Sequence, residues 1–152
     1  NFTFGDAARQ YYETICGGSG AGPDHDGTSA VQTHMTNSRL TDPEVLEARL
    51  PVRVESFAIR EGSGGEGRYR GGEGVERRIA FVEPMRAQIL ANRRLVAPRG
   101  IAGGGDAQAG DTFVEHADGS ITTLGATGAA DVGPGDVVVI RTPGGGGYGE
   151  AR

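Results

Sequence analysis

Residues 51–60 read Pro51-Val52-Arg53-Val54-Glu55-Ser56-Phe57-Ala58-Ile59-Arg60. Apolar and polar side chains alternate here with a period of two, which in an extended chain sends them to opposite faces of a sheet. A glycine-rich connection follows at 61–74, and the strand pattern then resumes. Residues 75–82 and 88–92 read as strands with Glu83-Pro84 turning between them. Residues 112–116 and 120–124 form a hairpin through Asp118-Gly119, a pair that accepts the positive φ of a tight turn. Pro134-Gly135-Asp136 turns the chain into a last strand over 137–141, and the tail TPGGGGYG reads as loop. About six short strands with little helix predict a mainly β fold, a sandwich or open barrel.

Upstream of residue 51 the signals change. Thr41-Asp42-Pro43-Glu44 is a helix start, with a capping oxygen, proline in the first turn and acids at the positive end of the dipole. This helix should end near Ala48, because Pro51 follows. Gly5-Asp6 is able to cap a second helix over 7–15, a segment that reads equally well as a strand. One or two short helices near the N-terminus are therefore expected. Residues 17–30 form a long glycine-rich loop of the kind that is either functional or disordered.

The 152 residues suffice for a single domain with a sizeable core. The division is a polar, glycine-rich segment over 1–50 and a β-rich scaffold over 51–152. The chain opens on Asn1 without a methionine, which suggests a piece of a larger protein. Glycine accounts for 28 residues, clustered rather than periodic, which excludes collagen and points to tight turns and backbone-lined loops. All 15 basic residues are arginine, so lysine Schiff-base chemistry and a P-loop lysine are excluded from this segment. A net charge of −5 argues against a nucleic-acid partner. Cys16, the lone cysteine, cannot form an internal disulfide, and no apolar run approaches the length of a membrane span. The default compartment is the cytoplasm.

Chemistry concentrates in the first third. The amides of Gly17, Gly18 and Gly20 offer a backbone nest for an anion, or alternatively belong to an ordinary surface loop. Asp24, His25, Asp26, His34 and Asp42 are oxygen and nitrogen donors, but their spacing matches no closed metal site, so none is assigned to metal. In His34-Met35-Thr36-Asn37-Ser38-Arg39, the imidazole suits general acid–base work. Asn37 suits a developing oxyanion, and Arg39 a carboxylate held by two hydrogen bonds. In an extended chain Asn37 and Arg39 share a face that His34 does not. The bland alternative is a polar segment under a loop. No nucleophile signature is present.

The run RQYYETICGGSGAGPDHDGTSAVQTHMTNSRLTDPEVLE over residues 9–47 resembles the signature of the hydantoinase B / 5-oxoprolinase family. The combination of GGSGAG, THMTN and TDPE is specific. The resemblance extends through FAIREGSGGEGRYRGGEGVERRI to the closing PGDVVVIRTPGGGGYG, nearly the whole chain. It departs at Asp24-His25-Asp26, where the family more often has glycine or phenylalanine before the last aspartate.

The resemblance implies the C-terminal part of a B-type subunit in a cyclic-amide hydrolase acting on hydantoins, 5-oxoproline or lactams. It also implies an oligomeric assembly with the upstream remainder of the B-type subunit and with an A-type subunit or domain. ATP with Mg would be bound on the A-type part, and no cofactor is expected in this segment. The candidate roles are His34, Asn37 and Arg39 in catalysis and Gly17, Gly18, Gly20 and Asp26 in substrate binding, with the isolated segment inactive. The competing expectation is an assembly module that packs on the A-type subunit, its glycine loops serving as packing devices.

Overall fold

The computed structural model describes residues 1–33 and 36–151. Its elements are β1 (Phe2–Gly5), β2 (Gln10–Glu13), α1 (Pro43–Arg49), β3 (Val52–Arg60), β4 (Gly74–Phe81), β5 (Met85–Leu90), β6 (Asp111–Glu115), β7 (Ile121–Thr123), β8 (Thr127–Val132) and β9 (Val137–Arg141). The strands form two antiparallel sheets in the orders β2-β1-β5-β8 and β3-β4-β9-β6-β7, as expected of a sandwich. Strand β5 alternates buried and exposed residues along its whole length, so each sheet has an inner and an outer face. Phe2, Phe4 and Ile89 of one sheet meet Ile79, Phe81, Val114, Val138 and Ile140 of the other in a single core. Phe4 and Phe81 meet edge to face with ring centroids 5.4 Å apart.

Two expectations need correction. Residues 7–15 form no helix. Asp6 Oδ1 instead accepts from the N–H groups of Ala8 and Arg9, both at 2.8 Å, and turns β1 back into β2 as a hairpin. Strand β8 is not among the expected strands, since its residues Thr-Gly-Ala-Ala-Asp-Val have weak strand propensity. It is held by pairing with β5. The predicted helix at Thr41–Ala48 exists as α1. Asp42 is its N-cap, its side chain accepting from Glu44 N at 2.9 Å, and Leu46 anchors it to the core. Glu47 Oε1 accepts from Val54 N at 2.8 Å and ties α1 to β3.

One inward position of β4 carries a charge. Arg77, 1% exposed, donates to both oxygens of Glu13 on β2, Nε to Oε1 at 2.7 Å and a terminal nitrogen to Oε2 at 3.1 Å. The pair bridges the two sheets. The Tyr11 hydroxyl lies 3.1 Å from Glu13 Oε2 and 2.9 Å from Thr41 Oγ1, which extends the network to the residue that leads into α1.

The glycine-rich stretches are not loops in the ordinary sense. Residues 17–20, 27–31, 64–72, 100–105 and 143–149 run side by side, and their backbones hydrogen-bond one another in a lattice outside the two sheets. Gly65 N donates to Gly145 O at 2.8 Å, Gly145 N to Gly72 O at 2.8 Å and Gly72 N to Ser19 O at 2.9 Å. The segments approach so closely that a Cβ on Gly18 would overlap Gly72 O, one on Gly71 would overlap Gly145 O, and one on Gly145 would overlap Ser19 O. Backbone packed on backbone explains the glycines, as the packing alternative anticipated.

Candidate functional site

Between this lattice and the ends of β5 and β9 lies an open cleft of about 930 Å³. Its lattice side is built by Gly17, Gly18, Ser19 and Gly20 with Gly144–Gly146. Ile89, Leu90, Ala91 and the loop residues Asn92, Arg93 and Arg94 also line it, as do Pro98 and Arg99, whose carbonyl packs against Gly146, and Thr33 and Thr36 border the same space. The structure thus gathers three of the expected glycines on one wall.

The amides of Gly18 and Ser19 on that wall, and of Ala21 beside it, are already engaged, however. Gly18 N donates to Pro143 O at 3.1 Å, Ser19 N to Thr28 O at 3.0 Å and Ala21 N to Gly146 O at 2.9 Å. At Gly18 and Ser19 the segment is therefore a strip held by its neighbours rather than an open nest. A ligand would meet its surface, and Gly18 N–H could turn to it only by giving up Pro143.

Asp26 serves the lattice, its Oδ1 accepting from Arg70 N at 2.6 Å. Asp24 is hydrogen-bonded to its neighbour His25 at 2.8 Å and both are exposed, the imidazole holding the Asp24 carboxyl below its usual range. With Asp42 capping α1, these side chains do not converge, and no group of three metal-binding side chains occurs among the described residues. Asn37 and Arg39 are exposed and lie outside the cleft lining. His34 lies outside the described residues. The Thr36 hydroxyl donates to Thr33 O at 2.7 Å.

Three arginines of the cleft carry no motif in the sequence. Arg93, Arg94 and Arg99 are the charged side chains that line the cleft, and no Asp or Glu does so among the described residues. Burial lowers the pKa of the Arg94 guanidinium, partly offset by the charge of Asp111. It donates to Asn92 O at 3.1 Å and to Thr112 Oγ1 at 3.3 and 3.4 Å. The only sequence signal was a pair of adjacent arginines just after a strand.

Comparison with known proteins matches residues 1–151 to the model of the family described as hydantoinase B/oxoprolinase. The chain belongs to this family. It is 46% identical over 150 residues to 5-oxoprolinase of Dictyostelium discoideum, covering 99% of the chain and 12% of that protein. It is 48% identical over 149 residues to 5-oxoprolinase 1 of Arabidopsis thaliana, again 12% of the relative's length. The chain thus spans about an eighth of these relatives and corresponds to a segment of a larger protein. Among solved structures it is similar to the ATP-dependent caprolactamase of Pseudomonas jessenii, with a TM-score of 0.74, 22% identity and coverage of 98% of this chain and 28% of the other. It is also similar to nucleotide-free acetone carboxylase, with a TM-score of 0.75, 20% identity and coverage of 88% and 22%. At these identities the two structures establish the shared fold. No helix among the described residues is long and apolar enough to cross a membrane.

Proposed function

We propose that this family segment forms one wall of the substrate cleft in a cyclic-amide hydrolase, acts only within the intact enzyme, and works in the cytoplasm. The observation that carries the reading is the cleft itself: the family's GGSGAG strip and the threonines on either side of residues 34–35 border one space. The names of the family, of the 5-oxoprolinase relatives and of the caprolactamase supply the substrate class, a hydantoin, 5-oxoproline or lactam.

Opening a cyclic amide requires water oxygen to bond to the carbonyl carbon, the C–N bond to break, and the departing nitrogen to receive a proton. We assign proton transfer to His34, between the cleft-lining Thr33 and Thr36 in sequence. Asn37 is assigned to the oxyanion and Arg39 to a substrate carboxylate. Because both are exposed here, these two roles require another part of the protein to cover residues 37–39. Gly17, Gly18 and Gly20 supply a flat surface against which the ring packs, and Asp26 holds that surface in place through Arg70. Any nucleotide with Mg belongs to the A-type part, since this chain has neither lysine nor a P-loop. No step here is routed through a nucleotide or a metal.

The test is turnover of oxoproline, hydantoin and caprolactam by the intact A/B assembly, with and without ATP. His34→Ala and Arg39→Ala should each lose activity while retaining the wild-type melting temperature. Wild-type turnover in both variants would remove the assignment.

A second reading is assembly without catalysis. It is favoured by apolar side chains left bare, with Leu95 94% exposed, Ile101 62% and Ile59 on β3 53%. It predicts that charge-introducing substitutions at Leu95 dissociate the complex, while His34→Ala and Arg39→Ala leave turnover of the assembled enzyme unchanged.

A further inference from the structure

We infer that Arg94 is the anchor of a carboxylate subsite in the cleft, that Arg93 and Arg99 add positive charge to the same cleft, and that the cleft selects organic acids over their neutral analogues. The inference deepens the proposed function and rests on the cleft being the substrate site: Arg94 holds the substrate carboxylate inside the cleft, and Arg39, outside its lining, meets the acid on entry.

Three observations carry it. The first is the sign of the wall. In a chain of net charge −5, the charged side chains lining this cleft among the described residues are all arginine. A concave, single-sign wall focuses the field onto an entering anion.

The second is the state of Arg94. Among the described residues, every hydrogen bond it makes ends on a neutral oxygen, Asn92 O or Thr112 Oγ1. Arg77 and Arg78, by contrast, each hold a carboxylate directly. A partly buried guanidinium without a contacting counter-ion gains most from an arriving carboxylate, because the bond it forms is charge-assisted and shielded from water.

The third is how the backbone has been shaped to put Arg94 there. Arg93 adopts φ 57°, a left-handed conformation that is uncommon for a residue with a side chain. Its carbonyl accepts from Gly110 N at 2.8 Å. Gly110 has no side chain in the volume where the Arg94 guanidinium sits, and a Cβ there would overlap that group. The reversal at Arg93, the gap at Gly110 and the hydroxyl of the buried Thr112 together preorganise the cation. Ile89, Leu90, Pro98 and Ile101 line the same cleft and give it apolar surface that suits the carbon body of an organic acid better than inorganic phosphate.

The experiment is isothermal titration of the intact protein with glutarate, glutaramide and inorganic phosphate, at low and high salt. Glutarate should bind measurably and lose affinity with salt, with glutaramide and phosphate weaker. Arg94→Gln keeps a donor for Thr112 but removes the charge. It should weaken glutarate by about ten- to a hundredfold at unchanged melting temperature. Arg94→Lys should fall between the two, and Arg86→Ala, on the exposed surface of β5, should bind as wild type. Glutaramide or phosphate binding as tightly as glutarate overturns the inference without needing a variant, and so does wild-type glutarate affinity in Arg94→Gln. Loss of hydrolytic turnover alongside preserved Arg94-dependent binding would instead count against the hydrolase reading alone.

Discussion

Replacing Glu13 by glutamine leaves Arg77 as a buried cation without its counter-charge. Both side chains are almost wholly enclosed, 1% and 3% exposed, and the pair is bidentate. Water cannot reach the guanidinium to compensate, so the loss is that of breaking a buried pair, about 3–5 kcal/mol. For a domain of this size, roughly 2–4 °C per kcal/mol converts this to a fall in Tm of about 6–20 °C. The double replacement Glu13→Leu with Arg77→Met removes both charges and should restore most of the stability, since desolvating the ion pair offsets much of its attraction. Equilibrium urea unfolding of Glu13→Leu, Arg77→Met and the double variant gives the coupling directly. A loss under about 1 kcal/mol for Glu13→Gln, or a double variant no better than the worse single one, would refute the claim that an enclosed ion pair joins the sheets.

Asp136 → Asn should flatten the acid limb of the stability curve. Burial raises the Asp136 carboxyl but is outweighed by hydrogen bonds from Ala117 N and Gly133 N, with His116 adding to them, so its pKa lies below the ordinary value. A depressed carboxylate stabilises the fold above its unfolded pKa and loses that contribution as pH falls through the folded one, so wild type should lose stability below about pH 4 and the variant lose less, as read by urea midpoints at pH 6 and pH 3. Asp42→Ala removes the N-cap of α1 and should cost about 1 kcal/mol in the same assay. Gly145→Ala places a methyl group against Ser19 O, where backbone rather than a flexible side chain must give way, and should cost at least about 1–3 kcal/mol or prevent folding.

The parts of the fold that obey a period were legible in sequence. The alternation of 51–60 became β3, the Asp118-Gly119 turn joined β6 to β7 with Gly119 at φ 85°, and Asp42-Pro43 opened α1. The glycine lattice has no such signal, because segments that touch through their backbones need no apolar side chains and so look like loops. Asp6 was ambiguous for a local reason: the same side-chain oxygen caps a helix or closes an Asx turn, and only the pairing of β1 with β2 decides. Arg77 reads as a solvated residue until Glu13, 64 positions away, is brought beneath it. In the candidate site, the strip at Gly17–Gly20 was visible as a motif. Arg94 was not, since its position depends on the backbone reversal at Arg93 and the gap at Gly110, which no spacing rule encodes.

The most direct measurement is a structure of the intact assembly with a slowly turned-over cyclic amide bound. The ring should lie against the Gly18–Gly20 strip within reach of Thr33 and Thr36, with any ligand carboxylate toward Arg94. A ring bound wholly outside this segment, with the cleft filled by another part of the protein, would contradict that placement.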